Sequence, residues 1–493
     1  MKTVLILYPH QLFPVSELPA ADSVILVEEP LLFGVDQEFP ERLHKQKIIL
    51  QRAAMRRYAE EILWPAGLKV DYIELDVFMQ TADLLERVRK FDRTIMFDPV
   101  NETLTLRLLQ ARREMGDEAP AIEFLATPNF YLKEHEVRQY FAERHKHPFG
   151  EFYQWQRERF NILITEEYKP VGDTWMIESK TAKPGTKAPG MRVFGDNPWV
   201  ADAIKYVAEH FPDNPGSDNF IWPTSHREAA EWLEDFITNR LEGFGAHNDL
   251  LDSQSSWLYH SAIAVSLNIG LLSPQQVVEA VLKHHAKKPV PLESLECFIR
   301  QILGWREFTR GIALVGGSNL RHANPLKANR KLSNAWYTGT TGLPPFDDLV
   351  KKVLAKGYAN HSERLYIAGT LMTICDIDPN DIHKWFGELF IDAHDWALTP
   401  NVYALSQFAD NTTLEGGPYI CTSKTLIDKS DYQRGEWCNV WDGLYWRFID
   451  KHKAVLKKNP RMRAVVQRHE NLDADRKRII SYRAEDFLNH FTQ

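Results

Sequence analysis

The period of the apolar residues changes once along this chain, and that change constrains the fold more than any single motif. Up to about residue 130, short apolar runs alternate with helical patterns: Val4-Leu5-Ile6-Leu7-Tyr8, Val24-Ile25-Leu26-Val27, Val70-Asp71-Tyr72-Ile73, Thr94-Ile95-Met96-Phe97 and Ile122-Glu123-Phe124-Leu125. The clearest intervening helix runs from Leu43 through Met55 to Leu63. Strands and helices in alternation predict an α/β domain with a parallel, Rossmann-like sheet. From about Ser225 onward the period is 3.6, as in Ala229 to Leu241, Pro274 to His285, Leu292 to Phe308, Phe346 to Leu354 and Ile382 to Trp396, which predicts an all-helical domain. The stretch between is polar, with Lys180, Lys183, Lys187 and Arg192 among Pro and Gly, and reads as a connector over the surface. The expected organisation is therefore an α/β domain over 1–130, a linker over 131–224 and a helical domain over 225–493.

Length and composition set the classes that remain. The chain has 493 residues, 44% hydrophobic and 26% charged, ordinary for a globular protein of two domains. A net charge of −8 excludes a globally basic nucleic-acid binder and leaves room only for a local basic face. No run of about 18 apolar residues is present, and Val4 to Tyr8 is too short for a secretory signal, so a soluble cytoplasmic protein is expected. Cys297, Cys375, Cys421 and Cys438 form no C-x-x-C pair, which signals neither a disulfide framework nor a zinc site. Ten of the 14 Trp follow residue 220, so the helical half must bury large flat surfaces or bind one.

In a parallel sheet, ligands sit beyond the carboxyl ends of the strands, here His10-Gln11, Glu28-Glu29 and Asp98-Pro99. The glycine fingerprint of dinucleotide sites is absent. Within Cys297 to Gly311, Gln301 and Trp305 share a helical face. They make either a core Trp beside the Arg306-Glu307 pair, or a stacking platform with an amide to read a base edge. His361 beside Asn360 is either structural or a general acid. Asp392 and Asp395, at i and i+3, would bind metal only with a third ligand; pairing with Arg364 suits them better. The C-terminal basic residues, Arg461 and Arg463 among them, are interspersed with Glu470, Asp473 and Asp475 and form either a phosphate-binding patch or a solvated helix face.

Taken together, the segments Phe298 to Gly311 (FIRQILGWREFTRG), Tyr358 to Leu365 (YANHSERL), Phe390 to Trp396 (FIDAHDW), Pro400 to Asp410 (PNVYALSQFAD) and Leu444 to Phe448 (LYWRF) resemble the cryptochrome/photolyase superfamily, and specifically its iron–sulfur bacterial branch of (6-4) photolyases. The resemblance runs nearly end to end. It implies an α/β antenna domain and a helical domain holding FAD, with blue light driving an electron from the reduced flavin into a (6-4) lesion flipped out of DNA. By position it implies His361 as proton donor, with Asn360, Gln301 and Tyr419 about the lesion. Arg364, Asp392, Asp395, Asn401, His260 and Ser261 would contact the cofactor, and Trp385, Trp336 and Tyr337 would carry electrons. Trp305, Arg306, Arg461 and Arg463 would face UV-damaged DNA. The antenna usual in the branch is 6,7-dimethyl-8-ribityllumazine, for which His10, Gln11, Glu29 and Lys47 stand in suitable positions.

Three departures from the branch are visible. Of the four cysteines that hold its iron–sulfur cluster, only Cys438 is kept, and Gln433-Arg434-Gly435-Glu436 replaces a C-x-x-C. No cluster and no metal is therefore expected, with Trp437 and Trp441 filling the space. Asn360 replaces the first histidine of a pair. Leu398 replaces an acidic residue near the flavin, and Thr425 a lesion-pocket tyrosine. Two functions follow: a cluster-free, monomeric (6-4) photolyase, or a blue-light photoreceptor that binds FAD without repairing DNA.

Overall fold

The computed structural model of the chain describes residues 2–77, 79–144, 148–406 and 419–493, the side chains of 404–406, Ser318, Arg461 and Arg476 excepted. Part of the PNVYALSQFAD segment and the Arg461 side chain therefore lie outside the described residues.

The five apolar runs form five parallel strands: β1 (Thr3–Leu7), β2 (Ser23–Val27), β3 (Lys69–Ile73), β4 (Arg93–Phe97) and β5 (Ile122–Leu125), in the order β3-β2-β1-β4-β5. β1 is central, with Leu5 opposite Val24 on one side and Ile95 on the other. All five of its residues are buried, as a strand covered on both faces requires. Strand order reverses between β1 and β4, which opens a crevice beyond their carboxyl ends.

The hydrophobic cores do not follow the change of period. One face of the sheet, the Lys45–Tyr58 helix and the helical segments up to Leu303 share a single core, joined by Trp222 and Trp232. A second core gathers Leu251 and residues from Leu326 to Leu488 around Trp336, Trp385 and Trp441. The polar stretch 131–224 also departs from the expected surface connector. It carries the helices Glu134–Ala142, Phe149–Phe160 and Pro198–His210, and it buries Phe152, Tyr153 and Arg157. The Arg157 guanidinium donates to the carbonyls of Ile162, Leu163 and Trp175. One buried cation thereby ties 162–175 back onto its helix.

The expected helix from Ile382 to Trp396 is two helices, Pro379–Leu389 and Asp395–Thr399. Between them Phe390 is fully buried and the Ile391 N–H donates to the Gly357 carbonyl at 2.8 Å. Asp392 thus sits in a turn, and the shared helical face for Asp392 and Asp395 does not exist. Among the described residues, no helix is long and apolar enough to cross a membrane.

Candidate functional site

A cavity of about 680 Å³ opens along the seam between the two cores, within the range of small-molecule and cofactor sites. Segments 244–267 and 298–309 supply one wall, and segments 358–366, 386–402 and Tyr419 the other. Three π-helical segments border it: Arg300–Arg306, Glu363–Gly369 and Pro400–Ser406. A π turn widens the helix and re-aims side chains, a device common at functional sites. Here Gln301 and Trp305 reach the cavity while Leu303 goes to the core.

The first wall is aromatic. Trp305 stacks on Phe149 with ring centroids 3.8 Å apart and planes 9° from parallel. The approach depends on Gly304, where a Cβ would meet Phe149 and Tyr153 at 3.0 Å. Phe149 and the rim residue Met176 belong to the stretch read as a polar connector; the aromatic run Phe149-Gly150-Glu151-Phe152-Tyr153 was the signal available for Phe149. His260 also lines this wall, with Nε2 unpartnered. Burial, with the imidazole of His361 facing it, lowers its pKa to about 3, so the ring is neutral.

The second wall is charged. Arg364 donates to Asp392 at 3.0 Å and to the Ala359 carbonyl at 2.8 Å, and lies over the Phe390 ring at 4.4 Å. His361 opens into the cavity, and its pKa is lowered by enclosure and by Arg364 while Asp249 raises it. Asp249, which the sequence reading missed, lines the same space. Its segment is held to the histidine turn by the Ser362 hydroxyl, which donates to the Asn248 carbonyl. Nothing in the polar run His247-Asn248-Asp249 distinguished it from an ordinary loop.

Asn360 has a different place from the one expected. Its side-chain oxygen accepts from the Glu363 N–H at 3.0 Å, and Glu363 accepts from the Asn360 N–H at 3.3 Å. This is a reciprocal helix cap, fastened below by the Lys352–Glu363 ion pair. Asn360 is fully buried, off the cavity surface, with Nδ2 unpartnered.

The remaining expected residues divide. Gln301, Tyr419, Arg364, Asp392, Asn401, His260, Ser261, Trp305 and His361 all line the cavity. Asp395 does not: it pairs with Arg321 and accepts from Thr399, facing a smaller cavity. Arg306 borders the cavity but turns its guanidinium inward, to the Asn129 carbonyl and to Asn268 at 2.6 Å, between Phe130 and Trp396. Burial lowers its pKa to about 10. Arg463 is exposed on the Pro460–Glu470 helix and lines neither cavity.

Trp385 and Trp336 are both fully buried. From Phe390, on the cavity wall, ring centroids run 5.7 Å to Trp385, 5.9 Å on to Phe346 and 5.0 Å to Trp336. The Trp385 indole also donates to the Trp336 carbonyl at 3.0 Å. Tyr337 is half-buried beside this line, its pKa raised by burial and by Glu388.

The smaller cavity, about 230 Å³, lies at the strand-order reversal and is lined by His10, Leu32, Lys47, Asn101 and Asn129. His10 Nδ1 and Asn129 Oδ1 are buried without partners. Gln11 is not available to it, since its amide bonds Tyr8, Phe97 and Asp98. Glu29 is buried away from it, its pKa raised to about 7 by desolvation.

Cys438, the one cysteine expected at a cluster-ligand position, is buried, and its chain neighbour Trp437 packs edge-on against Tyr432 and Trp441. The Trp437 indole donates to the Gln433 carbonyl, closing the segment that lacks the C-x-x-C. Among the described residues, no three His, Cys, Asp or Glu side chains gather as a metal site. This donor set does not fit an iron–sulfur cluster.

The family profile described as deoxyribodipyrimidine photo-lyase-related protein matches residues 5–222, and that of the FAD binding domain of DNA photolyase matches 298–433. The chain is 30% identical to a (6-4) photolyase of Agrobacterium fabrum over 439 residues, 85% of this chain and 86% of the relative. In fold it is similar to a bacterial class III photolyase from Agrobacterium tumefaciens, with a TM-score of 0.60 at 14% identity over 99% of this chain and 98% of the other. A Synechocystis cryptochrome gives 0.56 at 14% identity, covering 99% of both chains.

Proposed function

Since the chain belongs to the photolyase-related family, with an FAD-binding helical domain, we propose that it is a light-driven (6-4) DNA photolyase that works without an iron–sulfur cluster. The observation that carries this reading is convergence: Trp305 and Gln301 from segment 298–309 and His361 from segment 358–366, with Tyr419, line one cavity together with the Arg364–Asp392 pair.

The flavin, when bound, supplies a light-driven electron. Arg364 and Asp392 would flank its ring, and Asn401, Ser261 and His260 would hold the rest. The free Nε2 of His260 leaves hydrogen-bonding capacity there for a polar cofactor. A lesion base must leave the stack to enter so enclosed a space. Trp305, backed by Phe149, gives it a rigid face to stack on, Gln301 offers an amide to its edge, and Tyr419 closes the side. His361 Nε2 or Nδ1 would give the proton that the reduced lesion needs. A negative charge arriving in the cavity favours imidazolium and offsets the lowering by Arg364. Trp385 and Trp336, bridged by Phe346, would conduct electrons between the cavity and the outer shell. An antenna of the lumazine type would lie at the smaller cavity, where His10 Nδ1 and Asn129 Oδ1 match the hydroxyls of a ribityl chain.

The test is blue-light repair of an oligonucleotide carrying a (6-4) product, with a dark control, a cyclobutane-dimer oligonucleotide and iron analysis of protein purified without oxygen. Light-dependent loss of the (6-4) product alone, from iron-free protein, is the expected result. No repair of either lesion by FAD-loaded, photoreducible protein moves the chain to the photoreceptor class, and about four irons per chain overturns the cluster-free reading.

A further inference from the structure

We infer that the connector segment 176–190 is the strip that grips the DNA backbone at the mouth of the cavity, a role that rests on the DNA-repair reading above. Its path is set by specific bonds. Trp175 gives its carbonyl to the buried Arg157 at 2.8 Å, the Ile177 N–H donates to the fully buried Glu296 carboxylate at 3.0 Å, and the Ala182 N–H donates to the Ala246 carbonyl at 2.8 Å. Met176 lines the cavity and is 43% exposed, while Ala246 stands two residues before the cavity residue Asn248. The chain therefore follows the cavity rim from Met176 to Ala182 and continues outward from it.

The side chains on this strip are cationic and free. Lys180, Lys183 and Lys187 are exposed, and no described carboxylate pairs with any of them. Within 176–190 the only acid is Glu178, so the strip carries a net +2 on a chain whose total is −8. The Thr186 hydroxyl donates to the Lys183 carbonyl, and Gly185 at φ +79 completes a turn. Lysines serve phosphate as point charges and keep their ammonium groups hydrated until a counter-ion arrives.

The expected C-terminal patch has this property only in part: Lys458, Arg463 and Arg468 are exposed with no described carboxylate partner, but its other described cations are largely paired. Lys457 pairs with Glu470 at 2.7 Å, Lys453 with Asp450 at 3.1 Å and Arg478 with Asp475 at 3.6 Å. Lys451 and Arg447 converge on the buried Asp376. Cations already neutralised release few counter-ions when phosphate approaches.

The experiment measures binding of flavin-loaded protein to a fluorescent DNA duplex across a salt series. For K180Q/K183Q/K187Q, the slope of log affinity against log salt should become shallower by about 2 to 3, near 0.9 per lost phosphate contact. Flavin absorbance and the melting midpoint should be kept. K180R/K183R/K187R should restore the wild-type slope, because the strip needs charge rather than the ammonium itself. A wild-type slope in the glutamine variant overturns the inference alone. Wild-type protein that binds no duplex overturns it together with the DNA-repair reading.

Discussion

The two walls of the large cavity differ in kind. The wall from segments 244–267 and 298–309 presents an aromatic face, Trp305 on Phe149 with Gln301 and an uncharged His260, and its cations Arg300 and Arg306 are engaged by Glu296 and by Asn129 and Asn268. The wall from segments 358–366 and 386–402 is ionic, with Arg364 on Asp392, and Asp249 on the opposite wall acts on its His361. Flat neutral groups bind a flat neutral base without demanding a counter-ion, whereas charge movement needs groups that stabilise or exchange charge. Under the proposed repair reading, recognition would fall to the aromatic face and chemistry to the ionic wall.

Substitutions on the ionic wall should therefore remove turnover, and those on the aromatic wall should weaken capture. The largest effect is expected for His361→Ala: at least about a 100-fold loss of repair yield, the usual reach of a general acid, with flavin content unchanged. Normal repair by this variant would end the division. Asp392→Asn breaks a mostly buried ion pair and should lower stability by about 3 kcal/mol at most, since the Arg364 side chain keeps 24% of its surface accessible. Loss of flavin on gel filtration would accompany it. Trp305→Ala should weaken the binding free energy for lesion DNA by about 1 to 3 kcal/mol while the light-driven step at saturating DNA keeps its rate. Gln301→Ala should do the same by about 1 kcal/mol; a fall in turnover at saturation for either would blur the two walls. The smallest effect is a shift. Asp249 raises the His361 pKa, so Asp249→Asn lowers it further, fewer rings are protonated at any given pH, and the pH–repair profile should move toward lower pH.

The five strands were legible because each is a short apolar run, and burial on both faces leaves no room for polar alternation. His361, Arg364, Gln301 and Trp305 were legible through the family's motifs. Asp395 was not, because its reading assumed a continuous helix, and the helix ends where Phe390 is drawn into the core. The direction of Arg306 was equally hidden: its helical position is ambiguous until Asn129 and Asn268, far off in the chain, arrive to accept its protons. Asn360 reads in sequence as a substitute for an imidazole, and in space it is a helix cap.

By itself the sequence determined the alternation of strand and helix, the helical second half and the family motifs, because these depend on residues near one another in the chain. Tertiary structure decided how the connector folds back onto Arg157, which cations keep free charge, and where the two cores leave a seam. Burial and ion pairing are properties of neighbours in space. The neighbours of Lys183 and of Lys457 differ although their side chains are the same.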